Sequence, residues 1–169
     1  KTAFLSALRA RIGKEERNAV IDVFDKSNGV LFAHGFDERR NHIFRVRDFE
    51  KDFASKLGGG FAAACTSGTS AQYIAMKAMG IKPGDEVITQ SLTFIATCNA
   101  ISYCYAEPIF VDVERSTLGL SPESLEDFLE KYAEIRDDGF CWNKVSNKPI
   151  RACLPMHTFG HATRIEAIN

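Results

Sequence analysis

The sequence predicts an α/β fold: a three-layer sandwich built on a mostly parallel sheet. Three observations predict it. From Phe61 onward, short apolar runs alternate with amphipathic runs of helical period. Turn chemistry separates them, as at Lys82-Pro83-Gly84-Asp85 and Ser121-Pro122. Connections of helix length between successive strands favour parallel pairing, with helices covering both faces.

The elements follow in order. Lys14 to Lys26 reads as a helix with Val20, Val23 and Phe24 on its apolar stripe and Asn28-Gly29 as its stop. Residues 34 to 44 are polar and irregular. Arg45 to Leu57 is a second helix, with Val46, Phe49, Phe53 and Leu57 on one face and Gly58 after its end. Gly58-Gly59-Gly60 is a loop and a soft boundary between a helical segment, 1–57, and an α/β part, 58–169. Phe61 to Cys65 is expected as the first strand and Ser70 to Met79 as a helix stopped by Gly80. Glu86 to Thr89 is a strand, Ile95 to Tyr103 a helix, and Pro108 to Val113 a strand. Ser121 caps the next helix, and Pro122 suits its first turn. Leu125, Phe128, Leu129 and Tyr132 give that helix a face to bury. Residues 134 to 149 break the rhythm, with Phe140-Cys141-Trp142 expected to pair with Ile150-Arg151 as a hairpin around Lys144 to Lys148. Ile150 to Leu154 is the last strand.

Composition narrows the function classes. The chain has 169 residues, enough for one domain with a real core, and its net charge of −1 gives no footprint for nucleic acid. No apolar run is long enough to cross a membrane, and no basic-then-apolar leader pattern opens the chain. Five cysteines, Cys65, Cys98, Cys104, Cys141 and Cys153, fit neither a disulfide framework nor a zinc site. A reduced, cytoplasmic setting is expected. The chain begins at Lys1 without Met and stops in the helix-like run Ala162–Ile168, so a piece of a longer protein is expected.

The chemistry-bearing residues lie at element ends. Ser67-Gly68-Thr69-Ser70 is a small, hydroxyl-rich turn opening a helix. Helix-starting N–H groups lack internal partners, and the helix dipole favours an anion there. Gly68 allows close backbone approach, and Thr69 and Ser70 add hydroxyls. The same turn also serves as an ordinary N-cap. As a seat it could take a sugar phosphate, a nucleotide or pyridoxal phosphate. Phe94, at a strand-to-helix junction, either packs in the core or stacks on a planar ligand. His157 follows a strand and Pro155, where it is either structural or placed to hold substrate or move a proton. His161 lies four residues on, but the intervening segment does not read as a helix, so no metal pair is expected. His34 and His42 are expected in solvent, and Asp37 to Arg40 on the surface or at a subunit contact. P-loop, dinucleotide-binding and nucleophile-elbow patterns are absent.

Taken together, these runs resemble the DegT-type nucleotide-sugar aminotransferases, a fold-type I family dependent on pyridoxal phosphate. The resemblance rests on CTSGTSAQYIAMKAMGIKPGDEVITQSLTFIATCNAISYCYAEPIFVDVERSTLGLSPESLEDFL (65–129) and LPMHTFGHATRIEAI (154–168). It covers about residues 45 to 169, as the N-terminal portion of the family's large domain. It implies pyridoxal 5′-phosphate as cofactor, with Gly68, Thr69 and Ser70 at its phosphate, Phe94 over its ring, and His157 in a cofactor or substrate role. Ser70 stands where alanine is commoner. The implied reaction is transamination of a keto sugar nucleotide with glutamate as donor, in a homodimer, with residues 1–57 in the subunit contact. The detail of 90–97, 134–149 and 156–161 is most similar to the branch acting on UDP-linked 4-keto sugars. A sugar dehydratase of the same family and a non-catalytic sugar-phosphate-binding protein remain as alternatives. No lysine in the chain matches the one to which such enzymes tether the cofactor as an aldimine. That lysine and the carboxylate for the ring nitrogen are expected beyond Asn169, and the chain alone is expected to be inactive.

Overall fold

The computed structural model describes residues 13–30, 38 and 41–169. The chain divides into two compact units, Lys1–Ala64 and Cys65–Asn169. His34, Asp37, Arg39 and Arg40 lie outside the described residues.

In the first unit, α1 spans Lys14–Lys26 and α2 spans Arg45–Lys56. The Gly13 N–H donates to the Glu16 carboxylate at 2.7 Å, so a first-turn acid satisfies an otherwise orphan donor. Lys26 in the last turn complements the other end of the dipole and pairs with Asp22 at 2.5 Å. Both predicted apolar stripes are present but stay exposed, with Val20, Phe24, Val46, Phe49, Phe53 and Leu57 all open to solvent. Phe49 and Phe53 lie one turn apart, their ring centroids 5.7 Å from each other. The unit runs past Gly58–Gly60, where φ is positive at all three glycines, to Ala64.

The predicted first strand, Phe61 to Cys65, does not form. The run carries no strand assignment and no place in the described sheet. No strand pairs with it among the described residues. The Ala64 N–H donates to the Glu50 carboxylate at 2.8 Å rather than to a ladder carbonyl.

The second unit is an α/β sandwich. Its elements are α3 (Gly68–Ala78), β1 (Glu86–Gln90), α4 (Ile95–Tyr103), β2 (Glu107–Val111), α5 (Pro122–Tyr132), β3 (Ala133–Ile135), β4 (Cys141–Asn143), β5 (Lys148–Leu154), a short 3₁₀ turn (Thr158–Gly160) and α6 (Ile165–Ile168). The sheet order is β2-β1-β5-β4-β3. β1 pairs parallel with β2 and β5, whereas β3-β4 and β4-β5 are antiparallel. The expected parallel arrangement holds at β2-β1-β5, and the hairpin strands make the sheet mixed. The cause is local. The 134–149 segment folds back as the expected hairpin, and β3, unforeseen, adds a further edge strand to it.

Helices cover both faces. Val87 on one side of β1 packs with Met76, Ile81, Ala100 and Ile101, under α3 and α4. Ile88 on the other side packs with Val111, Leu120, Leu125 and Ile150, under α5. Alternation along a strand sends adjacent residues to opposite faces. A bulge in β5 keeps the alternation matched: Glu86 opposes Ile150, but Val87 opposes Ala152. The hairpin is tied in from beneath. The Asn143 side chain donates to the buried Glu86 carboxylate at 2.9 Å and accepts from the Val145 N–H at 2.9 Å.

Candidate functional site

A short turn at 79–85 joins the end of α3 to the start of β1. α3 packs back along the sheet through Tyr73 and Met76. Its amino end therefore lies over the carboxyl ends of the parallel strands, the end where open α/β sheets take their ligands. The residues after β1 and after β5 leave from that same end. Gly68–Ser70, Phe94 and His157 are grouped by this shared edge of the sheet.

The turn opens with Ser67 as N-cap, its hydroxyl accepting from the Ser70 N–H at 3.1 Å. The Ala71 N–H reaches the Ser67 carbonyl at 3.0 Å. The Gly68 and Thr69 amides have no acceptor among the described residues. The Ser70 hydroxyl lies 3.0 Å from the Ser67 hydroxyl and 3.2 Å from the Thr66 hydroxyl, so three hydroxyls cluster there. A Cβ built on Gly68 meets nothing within 4 Å. Two amides without acceptors, a hydroxyl cluster and an open wall fit a tetrahedral oxyanion such as a phosphate ester.

Phe94 is the N-cap of α4, with extended backbone and no side-chain cap bond. Its ring is 75% exposed, which decides against a core role within this unit. His157 is exposed as well, and its Nδ1 accepts from the Thr163 N–H at 3.0 Å. That bond fixes the neutral tautomer: the proton sits on Nε2, which is left as a donor.

Beneath these exposed residues is a buried polar network that the sequence did not single out. Gln90, the last residue of β1, is 0% exposed. Its Nε2 lies within donating distance of the Leu92 carbonyl at 2.9 Å, the Thr158 hydroxyl at 3.1 Å and the Leu118 carbonyl at 3.2 Å, two hydrogens shared among three acceptors. Its Oε1 accepts from the Met156 N–H at 3.1 Å. The Thr158 hydroxyl donates in turn to the Leu118 carbonyl at 2.8 Å. A signal was available: a long amide closing an otherwise apolar strand must find partners if the strand is buried.

The lysines lie elsewhere. Lys77 donates to the Ile81 carbonyl at 3.2 Å, near the carboxyl end of α3. Lys82 precedes β1. Lys131 ends α5, Lys144 is in the hairpin turn, and Lys148 begins β5, where it pairs with Glu107 at 2.5 Å. These five are all the lysines of the second unit, and each is at the amino end of the sheet's parallel strands. No group of three or more His, Cys, Asp or Glu residues suited to a metal occurs among the described residues.

The chain's likeness to known proteins is extensive. The family model described as the DegT/DnrJ/EryC1/StrS aminotransferase family matches residues 40–169. The spore coat polysaccharide biosynthesis protein SpsC of Bacillus subtilis is 48% identical over 82 residues, which cover 48% of this chain and 21% of that protein. The GDP-perosamine synthase of Caulobacter vibrioides is 36% identical over 123 residues, which cover 73% of this chain and 29% of that protein. Among solved structures, NtdA from Bacillus subtilis with bound cofactor PMP superposes with a TM-score of 0.64 at 27% identity, covering 89% of this chain and 30% of that one. The chain thus spans between about a fifth and a third of the length of the proteins it matches.

Proposed function

This chain belongs to the DegT/DnrJ/EryC1/StrS aminotransferase family, and on that premise we propose that its protein transfers an amino group from glutamate to a keto sugar nucleotide, using pyridoxal phosphate. The acceptor is a UDP-linked 4-keto-6-deoxy sugar, and the product feeds surface polysaccharide synthesis. The observation that carries this reading is the amino end of α3, where among the described residues the Gly68 and Thr69 amides have no acceptor and Gly68 faces no wall. When bound, pyridoxal phosphate supplies the electron sink that lets nitrogen pass between donor and acceptor.

This chain's own residues divide the remaining work. The Gly68 and Thr69 amides would hold the phosphate, helped by the hydroxyls of Thr69 and Ser70. The Ser70 amide is already committed to the N-cap, so Ser70 acts through its hydroxyl. The exposed Phe94 ring would stack on the planar cofactor and help exclude water from it. His157 donates from Nε2 to a ring substituent or to the substrate. The lysine that moves the proton and the carboxylate for the ring nitrogen come from outside this chain. The position of the second unit's five lysines at the opposite end of the sheet supports that division. The protein acts as a homodimer in the cytoplasm. The exposed Phe49, Phe53 and Leu57 face of α2 supports a subunit contact, and five free cysteines among the described residues support a reduced compartment.

The test is a titration of the full-length protein with pyridoxal phosphate, followed by glutamate. Binding gives a visible absorbance band, and glutamate converts it to a shorter-wavelength band. UDP- and GDP-linked 4-keto sugars, added separately, then identify the acceptor by which one restores the first band. A protein that leaves the free cofactor's spectrum unchanged overturns the proposal.

A further inference from the structure

Three loops converge at the carboxyl end of the sheet: 91–94 after β1, 112–120 after β2, and 155–158 after β5. Each is joined to the same buried side chain. Gln90 holds the first through the Leu92 carbonyl, the second through the Leu118 carbonyl, and the third through the Met156 N–H and the Thr158 hydroxyl. The last two contacts bracket His157, one on each side of it in sequence. The first holds the loop two residues before Phe94. Thr93 adds a direct link, its hydroxyl lying 3.1 Å from the Met156 sulfur and 2.8 Å from the Thr97 hydroxyl.

The chemistry of the partners explains why an amide stands here. Two carbonyls and a hydroxyl acting as acceptor require a donor, whereas the Met156 N–H requires an acceptor. A primary amide has both on one short, planar head. A carboxylate offers no donor to the carbonyls, and an apolar side chain leaves the part-buried Met156 N–H and Leu118 carbonyl without this partner. Leu118, in the second loop, and Phe159, in the 3₁₀ turn directly after the third, both have positive φ, at 56° and 52°, backbone conformations that non-glycine residues seldom adopt. Such conformations persist where surrounding contacts over-determine them.

We propose that Gln90 is a positioning residue: its buried amide sets where Phe94 and His157 stand relative to one another, and so fixes the geometry of the cofactor they flank. This rests on the cofactor reading given above. Gln90 touches neither cofactor nor substrate. It acts through Leu92, Met156 and Thr158.

The experiment uses the full-length protein and three variants, Gln90→Met, Thr158→Val and Thr158→Ser. Methionine keeps the length of Gln90 but has neither N–H nor carbonyl. Valine at 158 keeps the shape but removes the hydroxyl, and serine keeps the hydroxyl. The readouts are the dissociation constant for pyridoxal phosphate and the circular dichroism of its visible band per bound cofactor. Q90M and T158V are expected to weaken binding about tenfold and to reduce or reshape the band, with T158S returning both toward wild type. If Q90M does not fold, T158V against T158S decides. Variants that melt earlier yet bind with wild-type affinity and an unchanged band overturn the proposal, because Gln90 is then structural only. T158S behaving like T158V overturns it as well. Wild-type protein that fails to bind the cofactor sinks the functional reading and this inference with it, whereas normal wild-type binding with unaffected variants sinks this inference alone.

Discussion

Gly119→Ala is a severe test of how His157 is held. Gly119 is buried between Leu118 and Leu120. A Cβ added there stands 1.8 Å from the Thr163 hydroxyl oxygen, 3.0 Å from the Thr163 Cβ and 3.1 Å from the Thr117 hydroxyl oxygen. The first distance is impossible, so Thr163 must move. Thr163 is the residue whose N–H donates to His157 Nδ1 at 3.0 Å and whose hydroxyl donates to the Met156 carbonyl at 3.3 Å. Overpacking a buried site costs about 1–3 kcal/mol. A lost neutral hydrogen bond adds about 1 kcal/mol. G119A should therefore destabilise by about 2–4 kcal/mol, and Thr163→Ala alone by about 1 kcal/mol. Removing the clashing oxygen should rescue the first change, so the double variant should be more stable than G119A by about 1–3 kcal/mol. Urea unfolding of the full-length protein and its three variants closes the cycle. A G119A protein within about 0.5 kcal/mol of wild type, or costs that simply add, would refute the reasoning.

Three further outcomes are expected. Gly68→Ala places its methyl where, beyond its chain neighbours and its own helix backbone, no atom of the described residues lies within 4 Å, so folding stability should hold or rise by up to about 1 kcal/mol; pyridoxal phosphate affinity, read by titration, should fall about tenfold because the methyl occupies phosphate space. Phe94→Ala should change stability by less than about 0.5 kcal/mol, because the ring is already exposed, while weakening cofactor binding; a large loss of thermal stability would return Phe94 to a packing role. Burial pushes the Cys153 thiol up to about 11, so folding favours its neutral form. Its contribution is fully present below the unfolded thiol's pKa of about 8.5 and is lost as pH rises toward about 11. Cys153→Ala should flatten the alkaline part of a stability–pH curve relative to wild type, and an unchanged slope would count against that burial effect.

Most of the second unit was legible because its signals are local. α4 runs from Ile95 to Tyr103 as expected, and Ser121 caps α5 with its hydroxyl on the Ser124 N–H at 3.1 Å. The two misjudged features depend on distant partners. Phe61–Cys65 has the composition of a strand, but a strand exists only beside another, and none stands there among the described residues. β3 is three residues long, too short for an alternation to declare itself. Gln90 lay at the head of the run 90–97 that the sequence marked, but its bonding role was hidden for a different reason. Its importance lies in bonds to residues 28, 66 and 68 positions away, and no spacing rule reaches that far. The exposed stripes of α1 and α2 carry the same lesson in reverse: amphipathic period predicts the helix, not what covers its face.

The most direct measurement is a structure of the full-length protein with pyridoxamine phosphate, read at one place: the distances from the phosphate oxygens to the Gly68 and Thr69 amide nitrogens. The account predicts both at about 2.7–3.2 Å, with the Phe94 ring against the cofactor ring. A phosphate held elsewhere, with the amino end of α3 left to water, would contradict it.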